Sequence, residues 1–290
     1  MTERIERSGI SLQGIEWLLA IALLAAFVPA LIELSHVWSR YEYYSHGYLV
    51  PLAALWAATA QRNVLRSLPR ERSLLGGVLL ALSLLLYLAG RLAASVSLEG
   101  VALVASVAGA IYFARGLAWV RRLGFSIAYL IFMVPVPENL ITPFIAKLQL
   151  FVSSAAIRVV HMLDLPVYRE GNVMHLPSGD SLFVAEACSG ITSILTLVPL
   201  AVFLAYFTQP NLPRRLALVA AVIPLAMLGN LTRVVGTIWV AQRFSSEIAT
   251  ADWLHNLAGI LTYVLGCLAL LAIGGLMTRY VPAKKVLPSQ

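Results

Sequence analysis

The sequence predicts an all-α integral membrane protein of about eight transmembrane helices, with a short extracytoplasmic β-hairpin between spans 5 and 6. Three observations lead there. Hydrophobic residues make up 60% of the 290 positions and charged residues 12%, where a soluble globular domain carries about 25% charged residues. Apolar runs recur from Trp17 to Met277 with no polar stretch long enough to build a second core, so residues 1–290 read as a single polytopic membrane domain. Finally, 14 of the 21 Lys and Arg residues fall between or beyond those runs: at Arg4 and Arg7, Arg62 to Arg72, Arg115 to Arg122, Arg214 and Arg215, and Arg279 to Lys285. That is the distribution of cytoplasmic loops.

The spans are predicted at about residues 17–32, 47–60, 74–90, 93–114, 123–136, 190–207, 216–240 and 256–277, the second and fifth being the shortest. With a cytoplasmic N-terminus, these eight place every basic loop and the C-terminus in the cytoplasm, whereas an odd number would expose one basic cluster outside. The first helix follows a mixed-charge start (Glu3, Arg4, Glu6, Arg7) and has no small-residue cleavage site before the next span, so it is predicted to be retained. Cys267 lies deep in an apolar run and Cys188 begins one, which predicts free thiols rather than a disulfide.

An extracytoplasmic insert of about residues 137–187 is the one sizeable stretch that is not plainly transmembrane. Its first half, 141–163, has apolar residues at mixed helical spacing interrupted by Lys147, Arg158 and His161, which suits an interfacial or re-entrant helix. Its second half, 167–184, places β-favouring residues on either side of Pro177-Ser178-Gly179-Asp180, which predicts a β-hairpin leading into Cys188.

Three residues on three different spans then fall near one outer plane. Cys188 stands at the N-terminal end of the sixth span, where unsatisfied backbone N–H groups and the helix dipole favour a thiolate. A small packing cysteine is the plainer account of Cys188 taken alone. Arg233 is the single charge within the seventh span and needs a partner or water, because a bare charge there costs at least about 2.5–3.5 kcal/mol. Its plainer account is an anchor snorkelling to the headgroups. Asn230, three residues earlier, is expected to share its face. His255 opens the eighth span with a side chain suited to proton relay, though an interfacial histidine is commonly only solvated. Together they form a Cys/His/Arg constellation in which a thiolate attacks a carbonyl, an imidazole moves protons and a guanidinium holds an oxyanion.

Other polar residues have lesser claims. Glu186 would orient His255 or Arg233, or simply favour a helix start; His46, in Ser45-His46-Gly47, would line a path to the site or belong to a turn. Glu99 is expected to face water or a partner at an outer helix end. No metal is predicted, since no His, Cys or carboxylate pair has ligand spacing, and no cofactor is implied by a phosphate-loop or dinucleotide pattern. The basic loops hold few interleaved aromatics, so the lipid bilayer and not nucleic acid is the expected partner.

At these residues the sequence resembles the exosortase/archaeosortase family, membrane cysteine enzymes that in Gram-negative bacteria process proteins with a short C-terminal sorting signal. The resemblance is carried by Tyr44-Ser45-His46-Gly47, Pro135-Val136-Pro137, Arg169-Glu170-Gly171-Asn172, Leu176-Pro177, Glu186-Ala187-Cys188-Ser189-Gly190, Asn230-Leu231-Thr232-Arg233 and His255, from about Tyr41 to Gly259. It implies a protease or transpeptidase of the bacterial inner membrane with Cys188 as nucleophile, Arg233 and His255 as partners, and a periplasmic active site. Its substrates would be membrane-anchored proteins carrying a Pro-Glu-Pro type motif, a transmembrane helix and a basic tail. The acceptor of the acyl group stays open, as does the subtype, since Thr192 stands where many relatives carry an arginine. A small-solute or lipid transporter, or a noncatalytic scaffold of an export machine, are the competing classes.

Overall fold

The computed structural model describes residues 12–183 and 190–280, with the backbone alone at residues 12–15, 183, 255 and 280. The fold is mostly helical, and its described residues divide into two compact units. Among the described residues seven helices are long and apolar enough to cross a membrane. Their outward faces are apolar, Leu74 and Leu92 being 87% and 81% exposed, and lipid is the medium in which such faces are stable.

The first unit runs to Tyr41 and from Ser45 to Val136. It contains α1 (Leu12–Arg40), α2 (Leu49–Thr59), α3 (Arg62–Ser67), α4 (Leu74–Leu92), α5 (Val96–Arg115), α6 (Leu117–Arg122) and α7 (Gly124–Tyr129), which continues as a 3-10 turn over Leu130–Met133. α4 and α5 form a tight antiparallel pair. A Cβ at Gly76 or Gly109 would lie 2.2 Å from the Phe113 nitrogen or 2.8 Å from that of Leu80, so only small residues let these backbones meet. Phe27 and Ala30 of α1 pack with Ala102 of α5. At one end of the unit Arg115 forms an ion pair with Glu16 and stacks on Trp119. Near the other, Glu99 is buried and finds its partner in Arg91 at 3.3 Å.

The second and fifth expected spans are short helices, and the chain around each runs between contacts near opposite ends of this unit. Leu123 lines one cavity with Glu16, Ala114 and Arg115, while Val134 packs on Gly100 near the opposite end of α5. The 3-10 turn that continues α7 ends at Met133 because Val134, preceding Pro135, is driven into extended backbone (φ −86°, ψ 123°). The Met133 carbonyl loses its helical donor as well, since Pro137 has no N–H. Trp38 Nε1 donates to that carbonyl at 2.9 Å, and His46 Nε2 lies 3.0 Å from the Phe132 carbonyl. The chain likewise passes from Tyr48, whose hydroxyl donates to the Ser35 carbonyl, through α2 to Glu71, whose N–H donates to the Arg115 carbonyl.

The second unit holds Glu42–Tyr44 and the chain from Pro137. Its α8 (Glu138–Met162) covers the segment expected to be interfacial or re-entrant and is a single 25-residue helix, one of the seven long enough to cross. Next comes a three-stranded antiparallel meander, β1 (Tyr168–Glu170), β2 (Val173–His175) and β3 (Ser181–Phe183), in place of the one expected hairpin. The additional turn is Gly171-Asn172, with Glu170 paired to Val173 and Gly171 at φ 61° in the first turn position, where a two-residue turn favours glycine. Then follow α9 (Ile191–Thr208), α10 (Leu212–Ala220), α11 (Val222–Arg243), α12 (Ser246–Thr250) and α13 (Asp252–Tyr280).

Two cores organise this unit. Val152, Ala156 and Val160 of α8, Met174 and Leu182 of the sheet, and Val234 and Ile238 of α11 enclose the first. Leu197 of α9, Leu218 of α10, Val222 of α11 and Leu270 of α13 form the second, at the other end of α11. The sheet therefore sits by the C-terminal half of α11, pinned further by Asn172 Nδ2 donating to Gln149 Oε1 of α8 at 3.3 Å. The Ser246 hydroxyl of α12 donates to Asp180 Oδ2 at 2.5 Å.

Candidate functional site

The residues that carry chemistry in the sequence map onto α9, α11 and α13 and onto the stretch before α9. Gly190 caps the start of α9 in the left-handed region (φ 85°), a conformation that costs other residues about 1 kcal/mol or more. It is also closely overlooked: a Cβ there would lie 3.5 Å from the Asn230 side chain. Asn230 belongs to the buried stripe of α11, with Val222, Ala226, Val234 and Ile238, and is only 2% exposed. A buried amide held against a helix N-terminus two residues after Cys188 is a polar element in an otherwise apolar interface.

Arg233 lies three residues further along α11 and is directed to a different neighbour. Its guanidinium nitrogens stand 3.6 Å from where a Cβ would be on Gly259 of α13. His255 precedes Gly259 by four residues, one turn, so the two positions share a face of α13. Asn230 and Arg233, expected to share a face, thus splay between two helices: one towards α9, the other towards α13.

A groove of about 520 Å³ runs beside Arg233 between α11 and α13. From Leu225 to Val240 its α11 wall is about 22 Å long at 1.5 Å per residue. Among the described residues Arg233 is the only charged one on its walls, which are otherwise apolar or small residues such as Gly229, Gly236 and Ala258 with the hydroxyls of Thr232, Thr237 and Thr262. In such surroundings a guanidinium interacts more strongly with any anionic or carbonyl oxygen than it would in water.

The remaining expectations fall elsewhere. Cys188 and Glu186 lie outside the described residues, and so does the side chain of His255. His46 belongs to the first unit, where it meets the Phe132 carbonyl. Asn172 serves the β1–β2 turn through its bond to Gln149. Cys267 carries a free thiol within α13. Among the described residues no group of three or more His, Cys, Asp or Glu is disposed to hold a metal ion. What sequence reading did not find is Gly259 and the groove: a glycine inside an apolar run carries no local signal of the arginine that crosses to it.

Neither the curated proteins nor the solved structures contain a match to this chain. The family model described as transmembrane exosortase (EpsH) matches residues 38–272, a span that includes Gly190, Asn230, Arg233 and Gly259 together with α8 to α12 and most of α13. With that match over most of its length, the chain belongs to the transmembrane exosortase family.

Proposed function

We propose that this chain is a cysteine peptidase or transpeptidase that processes C-terminal sorting signals at the outer face of a bacterial inner membrane, with Cys188 as nucleophile and Arg233 and His255 as its partners. The observation that carries this is the meeting of α9, α11 and α13: Asn230 against Gly190, two residues from Cys188, and Arg233 against Gly259, one turn from His255.

In this mechanism the Cys188 thiolate adds to the scissile carbonyl, and the Arg233 guanidinium donates to the resulting oxyanion. Collapse of the tetrahedral intermediate forms a thioester and breaks the C–N bond. The released amine of the signal segment takes its proton from the His255 imidazolium. Water or an acceptor amine, deprotonated by His255, then attacks the thioester and returns the thiolate. The groove beside Arg233 offers an apolar surface about 22 Å long next to the reacting group, a large part of the roughly 30 Å hydrocarbon core, consistent with a substrate anchored by its own transmembrane helix. A Pro-Glu-Pro type motif just outside that helix would be held near Cys188.

The test is co-expression with a tagged substrate carrying such a motif, a transmembrane helix and a basic tail. Wild-type protein should release a defined fragment, seen by gel shift and mass spectrometry, and Cys188→Ala at equal abundance should release none. Equal cutting by both proteins would sink the cysteine mechanism and favour a transporter or a scaffold.

A further inference from the structure

A second cavity, of about 440 Å³, lies at the far end of α11, between the β2–β3 turn and the start of α12. Its walls include Leu176, Pro177, Asp180, Gln242, Phe244 and Ser245. The hydrogen-bonding groups in it are unevenly used. Gln242 Nε2 is sealed from solvent and has no hydrogen-bond partner among the described residues, an arrangement that costs about 1–3 kcal/mol unless a ligand supplies an acceptor. Asp180 accepts the Ser178 and Ser246 hydroxyls, both on Oδ2, so the carboxylate is held in place by two donors that use only one of its oxygens. The cavity thus has on its walls one residue with a covered, unused donor, which a side-chain rotation would turn towards it, and one fixed acceptor, between apolar and proline walls. That pairing matches an extended main chain, which presents one C=O and one N–H at each residue.

Two further features favour a peptide over a small solute. β3, which follows Asp180 directly, has a strand neighbour on one side only among the described residues, and an open strand edge is a recognised docking line for extended peptide. Gln242 also lies nine residues beyond Arg233 on the same helix, about 13.5 Å further along its axis at 1.5 Å per residue and, after about two and a half turns, on the other side of it near its C-terminal end. Roughly four extended residues cover that distance.

We propose that this cavity is a recognition subsite for an extended peptide segment of the substrate, at least about four residues from the bond that is cut, with Gln242 donating to a main-chain carbonyl and Asp180 accepting a main-chain N–H. The assignment rests on the proposed peptidase activity and adds to it the place where the segment outside the membrane is held. Gln242 is here a binding residue and takes no part in bond breaking.

The experiment uses the full-length protein in nanodiscs with the tagged substrate described above. Gln242→Leu, of similar size and without the donor, should raise KM about tenfold with kcat within about twofold, as loss of one hydrogen bond made equally in ground and transition states requires. In parallel, benzoylphenylalanine replacing the exposed Phe244 in the Cys188→Ala protein should photocrosslink to the segment of substrate preceding its transmembrane helix. Gln242→Leu should weaken that capture. Cys188-dependent cutting with KM unchanged in Gln242→Leu, or crosslinks confined to the substrate's transmembrane helix, would overturn the subsite. If Cys188→Ala still cuts, the proposed mechanism falls while the crosslink decides the subsite independently: capture of the outer segment sustains it and absence of capture refutes it.

Discussion

At the scale of single residues, the membrane makes chemistry conspicuous. An arginine within an apolar run is expensive enough to stand out, and Arg233 could be singled out in the sequence on that ground alone. Its neighbour could not, because contact between α11 and α13 joins positions 26 residues apart and Gly259 is marked only by having no side chain. The close approach at Gly259 does more than make room: both terminal nitrogens of the planar guanidinium stand equally near α13 there, a fit that a lysine ammonium cannot reproduce. Arg233→Lys should therefore retain abundance and membrane insertion yet lose about 10²-fold in kcat, the usual effect of removing one oxyanion donor. The measurement is the initial rate of substrate cutting at saturating substrate. A rate within about twofold of wild type would reduce Arg233 to a charge that anchors the helix.

At the scale of elements, the β-region is legible from its β-favouring residues and its Pro-Ser-Gly-Asp turn. Its third strand is not, although Gly171-Asn172 is itself a two-residue turn signal. Strands of three residues are too short to show a period, and only pairing defines them. So small a sheet depends on its tethers, and the Asp180–Ser246 bond is the one that ties it to α12. The Ser246 hydroxyl, and after it the Ser178 hydroxyl, hold the Asp180 carboxyl below its ordinary value. A folded-state value lower than the unfolded one means that this contribution is present above the ordinary carboxylate range and is lost as pH falls through the folded value. Acidification from pH 7 to about 3 should lower the hydrogen-exchange protection of β2 and β3 relative to α9. Asp180→Asn should show the lowered protection already at pH 7 and little further change on acidification. Equal protection in both proteins at pH 7 would show that the hydrophobic contacts of Met174 and Leu182 suffice to hold the sheet.

At the scale of the whole molecule, length and charge give opposite readings of one helix. Hydropathy and its 25 residues qualify α8 to cross the membrane, and the same criteria pass over α2 and the Gly124–Met133 segment. The contacts of the first unit reverse that order. Gly124–Met133 leads from beside a cavity lined by Glu16 and Arg115 to Val134 against Gly100, rising about 17 Å against about 30 Å for α5, part of it in the more extended 3-10 form. Short segments can do this when neighbours bury them, and burial inside a bundle is what hydropathy over a fixed window cannot register. If α8 crossed as well, the basic pair Arg214 and Arg215 and the Arg279 end of α13 would lie outside, against the charge rule. A surface position for α8 keeps all of them in the cytoplasm, puts Lys147 and Arg158 within reach of headgroups, and leaves the sheet on the side of α11 where Gln242 lies. With Cys188→Ser and Cys267→Ala as background, Asn139→Cys and Met162→Cys should then both react with a membrane-impermeant maleimide applied to intact spheroplasts. Both positions are exposed at opposite ends of α8, so labelling at one and protection at the other until the membrane is opened would mean that α8 crosses. The sides assigned to everything after it would then be exchanged, and Arg233 would lie nearer the cytoplasmic face.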